Sequence, residues 1–129
     1  MEKMEKHILV VDDSPTIRSL VASCLRDAHY KITEAENGAE ALEKLLGMQG
    51  TAHNLALIIT DINMPKMDGI TFINHLKKSN FRFLPILVFT TESETSMIEK
   101  GKRAGASGWL VKPFEPEQLL WAVKKLVWT

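Results

Sequence analysis

Four apolar runs, each closed by a polar or charged group, constrain this chain more than any other feature. Val10-Val11 runs into Asp12-Asp13, and Leu57-Ile58-Ile59-Thr60 runs into Asp61. Ile86-Leu87-Val88-Phe89 ends in Thr90-Thr91, and Leu110-Val111 ends in Lys112-Pro113. Continuous apolar runs of this length, separated by helix-like segments, read as parallel strands covered on both faces. Ligands of an open parallel sheet bind beyond the carboxyl ends of its strands. The chain therefore brings three carboxylates, two hydroxyls and one ammonium to one sheet edge. Clustered carboxylates repel each other, and a divalent metal with a phosphoryl group would complete the charge balance.

The 129 residues suit one domain, read as spanning 1–129, with a single sizeable core. With 16 basic and 16 acidic residues the formal net charge is zero, which gives no support for a nucleic-acid-binding module. No run is long and apolar enough to cross a bilayer, and the polar start Met1-Glu2-Lys3-Met4-Glu5-Lys6 is no signal peptide. The single cysteine, Cys24, excludes an internal disulfide and fits a reducing cytosol, so a cytoplasmic location is expected. Cys24 lies on an apolar helical stripe and reads as a buried structural thiol.

The pattern reads β-α five times. His7 to Val11 is the first strand; Ser14 caps the next helix and Pro15 opens it, with Ile17, Leu20, Val21, Cys24 and Leu25 as its core face. Lys31 to Ala35, shorter on apolar residues, is placed at an edge. Asn37 with Glu40 reads as a capping box for a helix whose core face is Ala41, Leu42, Leu45 and Leu46. Gly47 to Asn54 reads as a loop, and Leu55 to Thr60 as the central strand. Asp68-Gly69 opens a third helix that carries Ile70, Ile73 and Leu76. Pro85 to Thr90 is the fourth strand. Thr91 or Ser93 caps a fourth helix ending near Ala104-Gly105, Ser107 to Val111 is the fifth strand, and Pro116 starts the last helix. The alternation gives an α/β fold with a parallel sheet. The four histidines, His7, His29, His53 and His75, are scattered and read as surface or edge residues.

Taken together, Asp12-Asp13, Asp61-Ile62-Asn63-Met64-Pro65-Lys66-Met67-Asp68-Gly69, Thr90-Thr91-Glu92 and Lys112-Pro113-Phe114 resemble the receiver domain of two-component response regulators, the CheY-like family. The resemblance runs roughly from His7 to Val127. It implies a doubly wound, flavodoxin-like (βα)5 domain with strand order 2-1-3-4-5. It further implies that Asp61 is the phosphoacceptor and that Mg2+ is held by Asp13, Asp61 and the Asn63 backbone carbonyl, with Asp12 reaching it through water. Lys112 would pair with Asp61 and later with a phosphoryl oxygen, and the Thr90 hydroxyl would donate to another. A cis Lys112–Pro113 bond is implied as well. Asn63 and Glu92 would flank the path of hydrolytic water and tune the lifetime of the phosphate. The expected partners are a histidine kinase or histidine phosphotransfer protein and a downstream target. Such a protein catalyses only its own phosphorylation and dephosphorylation.

Two positions depart from the family pattern. Thr91 stands where a smaller residue is usual. Trp109 stands where Tyr, Phe or His is usual, the ring that turns inward when the neighbouring Thr moves toward the phosphate. Trp109 is thus either the aromatic switch or a residue packed on the fourth helix. In the last helix Leu119, Leu120, Val123, Leu126 and Val127 form a core stripe, while Trp121 and Trp128 share a nearly opposite face. With Trp109 they mark an expected interface for a partner or a second copy. A dehalogenase-type phosphatase would need a second Asp two residues after Asp61, where Asn63 stands. The expectation is a stand-alone chemotaxis-type or relay regulator; the alternative is a receiver cut from a longer regulator.

Overall fold

The computed structural model describes residues 5–48 and 54–127. Five parallel strands form one sheet in the order β2-β1-β3-β4-β5. They are β1 (His7–Val11), β2 (Lys31–Ala35), β3 (Leu55–Asp61), β4 (Ile86–Thr91) and β5 (Gly108–Lys112). The helices are α1 (Pro15–Asp27), α2 (Gly38–Met48), α3 (Gly69–Lys77), α4 (Ile98–Ala104) and α5 (Pro116–Leu126). The expected fold, strand order, central β3 and edge β2 are all present.

The pleat explains the layers. Alternate strand residues point to opposite faces, so Ile8 and Val10 pack with α1 and α5 through Val21, Leu25, Leu119 and Val123. Leu9 and Val11 face the other way, onto Ala41 and Leu45 of α2 and Phe72, Ile73 and Leu76 of α3. All five residues of β1 are buried, which is why the run shows no polar alternation. Asp12-Asp13, Asp61, Thr90-Thr91 and Lys112 all fall at the carboxyl ends of strands, as the sequence predicts.

Caps fix where the helices begin. The Ser14 hydroxyl accepts from the Ile17 N–H at 3.3 Å with Pro15 in the first turn, and Asp68 Oδ1 accepts from the Thr71 N–H at 2.9 Å. The capping box at α2 is formed on one side: Asn37 Oδ1 accepts from the Glu40 N–H at 2.8 Å, while the Glu40 carboxylate pairs with Lys44 at 3.2 Å. A reciprocal box does close α5, where Glu115 and Gln118 cap each other's backbone.

Several expectations are corrected. Leu20 and Leu46 are 64% and 66% exposed, because the small Ala22 and the Leu45 position turn the core-facing stripes away from them. Cys24 is half-buried rather than buried; burial and then the Asp27 charge raise its thiol pKa. His7 is buried, and its Nε2 lies 2.6 Å from Thr33 Oγ1 across the β1–β2 pair; burial and then Lys31 lower its pKa. No single fourth helix follows β4. A 3₁₀ segment, Glu92–Met97, leads into α4, whose cap position is Met97, with no side-chain capping bond. The second helix runs on through Gly47 and Met48, and the rest of the expected loop up to 53 lies outside the described residues. Among the described residues no helix is long and apolar enough to cross a membrane.

Candidate functional site: an acidic, lysine-bridged sheet edge

Asp12 follows β1 directly and is fully buried. Its N–H donates to the Ala35 carbonyl at 3.1 Å, and its Oδ1 accepts the Ser14 N–H at 2.9 Å. Arg18 Nη1 donates to the Asp12 carbonyl at 2.7 Å and pins the turn from below. Asp13 next to it is exposed, and Asp61 ends β3 at 7% exposure. Carboxylate oxygens of Asp12, Asp13 and Asp61 lie within 4.8 Å of one another, and this trio could hold a metal ion.

Lys112 crosses from β5 to close the group. Its Nζ donates to Asp12 Oδ2 at 3.0 Å and to Asp61 Oδ2 at 3.2 Å. It also sits 5.8 Å from the Phe89 ring centroid. The resemblance implied the Asp61 partner; the shorter bond to Asp12 is a finding of the structure. The Lys112–Pro113 peptide is cis, as implied.

The electrostatics follow from burial. Burial pushes the Asp61 carboxyl up to about 6, Lys112 opposes that shift, Asp12 adds to it, and the Asn63 backbone N–H opposes it. Burial lowers the Lys112 ammonium pKa, but its bonds and charge contacts with Asp12 and Asp61 outweigh that and leave it raised. A carboxylate this poorly solvated, with one shared ammonium for two acids, retains a deficit of positive charge.

Thr90 Oγ1 is buried with no hydrogen-bond partner among the described residues. Register puts Asp61 opposite Phe89, so Thr90 lies one step further toward the same edge. An orphaned buried hydroxyl is costly in a fold unless a ligand uses it. Three carboxylates supply hard oxygens suited to Mg2+, which takes few protein ligands and keeps its waters. The donor set and the orphan hydroxyl therefore fit a magnesium ion and an oxyanion.

The other expected residues divide. Asn63 is exposed beside Asp61. Thr91 is half-buried, and its N–H donates to Glu94 Oε1 at 2.9 Å. Trp109, like Met97, Ala104 and Ala106, packs against the core on the α2–α3 side of the sheet; its Nε1 is buried with no hydrogen-bond partner among the described residues, and the Lys102 ammonium lies 5.9 Å from its ring. Trp121 is 64% exposed, with Lys125 Nζ 4.4 Å above its ring. Trp128 and the side chain of Glu92 lie outside the described residues.

One residue with a positional role was missed. The Gly69 N–H donates to the Ile62 carbonyl at 2.9 Å, drawing the start of α3 onto the strand end. A Cβ there would lie 2.6 Å from the Asp61 carbonyl oxygen and 2.7 Å from Ile62 Cα. Backbone cannot yield as a side-chain tip can. Gly69→Ala is expected to lower unfolding free energy by about 1–3 kcal/mol and to weaken magnesium binding by displacing Asp61. Urea titration and metal titration check this; a variant equal to wild type in both would refute the close approach.

A doubly wound parallel sheet with strand order 2-1-3-4-5 and this acidic, lysine-bridged edge defines the CheY-like class of α/β domain. The comparisons agree with that class. The family model for the response regulator receiver domain matches residues 8–124. Chemotaxis protein CheY1 of Helicobacter pylori (strain J99) is 38% identical over 114 residues, covering 87% of this chain and 89% of that protein. Transcriptional regulatory protein ResD of Bacillus subtilis is 37% identical over 123 residues, 95% of this chain but 48% of ResD. The structure of chemotaxis response regulator CheY4 of Vibrio cholerae superposes with a TM-score of 0.86 at 39% identity, covering 96% of this chain and all of that one. The chain belongs to the response regulator receiver domain family, of the CheY-like kind.

Proposed function

We propose that residues 1–129 form one receiver domain whose Asp61 accepts a phosphoryl group from a phosphohistidine of a histidine kinase or phosphotransfer protein. The observation that carries this reading is Lys112 Nζ held between Asp12 and Asp61, beside the orphaned Thr90 hydroxyl. Asp13, Asp61 and the Asn63 carbonyl would hold Mg2+, with Asp12 acting through water. Bound there, it would offset the repulsion between carboxylate and phosphoryl donor. An Asp61 oxygen bonds to phosphorus while the bond from phosphorus to the donor imidazole breaks, and the imidazole leaves with that electron pair and takes up a proton. Lys112 shifts from Asp61 to a phosphoryl oxygen but keeps Asp12 as an anchor. Thr90 Oγ1–H donates to a second oxygen. Asn63 and Glu92 then control access of hydrolytic water. The chain catalyses its own phosphorylation and dephosphorylation and no further turnover.

Incubation with acetyl phosphate and magnesium is expected to add one phosphoryl group by intact mass. Asp13→Asn is expected to weaken magnesium binding more than Asp12→Asn. No mass gain in the wild type, or unchanged affinity in Asp13→Asn, would overturn the assignment.

The signal would leave through α4, β5 and α5, where Trp109, Trp121 and Trp128 offer aromatic anchors to a downstream target or a second copy. Movement of Thr90 toward the phosphate would free space for the Trp109 indole, whose N–H has no acceptor among the described residues. Sedimentation and target binding of Trp121→Ala, with and without beryllofluoride, test this: equal behaviour to wild type in both states makes Trp121 a packing residue. The likeness to CheY1 supports a cytoplasmic regulator of the chemotaxis or relay type that acts on its own. The half coverage of ResD supports the alternative, a receiver within a longer regulator.

A further inference from the structure

The corner between α3 and β4 lies at the opposite end of the sheet from Asp61, because that connection enters β4 at its amino end. It has an unusual charge and an unusual ring. The sequence carries no Asp or Glu from Gly69 to Thr91, and none from Lys100 to Phe114, in a chain whose overall charge is balanced. The last turn of α3 brings Lys77 and then Lys78; the loop brings Arg82; α4 ends with Arg103. The ends of the two helices meet, since a Cβ at Gly105 would lie 2.5 Å from Lys77 Cε. Lys78, Arg82 and Arg103 are exposed.

Next to Arg82 in this loop stands Phe83, 83% exposed, more than any other large hydrophobic residue among those described. The Arg82 guanidinium lies 4.6 Å from its ring centroid. Favourable charge at helix C-termini accounts for Lys77 and Arg103. It does not account for Arg82 and Phe83, which lie in the loop beyond α3.

The loop is also ordered for display. Ser79 Oγ donates to the Leu76 carbonyl at 2.7 Å and accepts the Phe81 N–H at 3.0 Å. Lys77 Nζ donates to the Arg82 carbonyl at 3.1 Å, and Arg82 Nη1 to the Ser79 carbonyl at 3.3 Å. Pre-ordering of this kind reduces the entropy lost on binding.

We infer that this corner is a second interaction surface, which takes an acidic protein segment carrying an apolar pocket or side chain for Phe83. Charge complementarity selects the acidic partner. The single ring selects a protein over a membrane: Phe81 and Leu84 turn back onto the α2–α3–α4 core, so the loop offers one anchor and no wider apolar wedge. The surface is independent of the phosphoryl chemistry, being at the far end of the sheet.

The test uses fluorescent short peptides alternating glutamate with leucine, and glutamate with serine as the control, measured by anisotropy on the whole chain. The glutamate–leucine peptide is expected to bind more tightly than the control and to weaken with salt. Phe83→Ser, and separately Lys78→Glu with Arg82→Glu, should each reduce its affinity about tenfold or more. Circular dichroism verifies that these exposed substitutions leave the fold intact. Asp61→Asn and beryllofluoride should leave this binding unchanged, so failure here and failure of the phosphoacceptor assignment are separate results. Absence of binding, equal affinity in the variants, or wild-type preference for phosphatidylserine vesicles or duplex DNA would each overturn the inference.

Discussion

Asp61→Asn is expected to abolish the mass gain with acetyl phosphate and, at the same time, to make the metal-free protein more stable. Both effects have one cause. The carboxylate is buried, and burial lifts its pKa from 3.8 to about 6 despite Lys112. A folded-state pKa raised above the unfolded value means that ionisation costs more in the folded state. The associated stability is complete below pH 4, falls as the pH rises through about 6, and is absent above that. The gap between the two values corresponds to roughly 3 kcal/mol. Asparagine carries no charge to desolvate, and its carbonyl can still accept from Lys112, which also keeps Asp12. Urea titrations without metal should therefore show the variant ahead by up to roughly 3 kcal/mol at pH 8 and level with wild type near pH 4. A full mass gain in the variant would move the phosphoacceptor elsewhere. A stability difference that does not change with pH would remove burial of Asp61 as its source.

This trade of stability for a reactive group explains which parts of the molecule were legible from sequence. The strands were, because a sheet covered on both faces leaves continuous apolar runs such as Leu57–Ile59, and the polar residues closing them fall by topology at one edge. The acidic trio was legible for the same reason. What required three dimensions was the distribution of contacts within that edge. Asp12 and Lys112 are 100 residues apart, and nothing in their spacing says that the buried Asp12 carboxylate shares the ammonium with Asp61. Gly69 read as a helix start, while its lack of a side chain matters because Asp61 and Ile62 backbone stands against it. Helical periodicity placed Leu20 and Leu46 inside, yet each lies at the rim of a stripe centred on other residues. Glu92 to Met97 is polar and weakly periodic, and the chain forms a 3₁₀ segment there before α4 rather than one capped helix. His7 is buried because β1 is hydrogen-bonded to strands on both sides and Thr33 across the β1–β2 pair supplies a partner for its ring.

Replacing Lys112 should cost more stability than any other single change at this edge. Its side chain is 16% exposed and lies against carboxylates that are 0% and 10% exposed. Lys112→Met keeps an unbranched apolar stem of similar length and removes the ammonium, which stands 5.8 Å from the Phe89 ring centroid. Two buried acids would then face each other without a cation, and breaking a buried pair by removing one partner costs about 3–5 kcal/mol. Lys112 is the main group that opposes the upward shift of the Asp61 carboxyl, so its loss would move that carboxyl higher still. The loss is therefore expected to be largest at pH 8 and to shrink as the pH falls toward 6, where the Asp61 carboxyl of the variant has taken up a proton. Magnesium should raise the melting temperature of the variant more than that of wild type, because an added cation restores part of what the ammonium supplied. Phosphorylation by acetyl phosphate should still fall steeply, since a metal ion cannot make the contact that Lys112 transfers to the phosphoryl oxygen. Lys112→Arg, which keeps the charge, separates the electrostatic effect from packing: it should recover most of the stability at pH 8 and little of the phosphorylation. Equal losses at pH 8 and pH 5 in Lys112→Met would show that the lysine stabilises this edge by packing, and that Asp12 and Asp61 do not depend on it for charge.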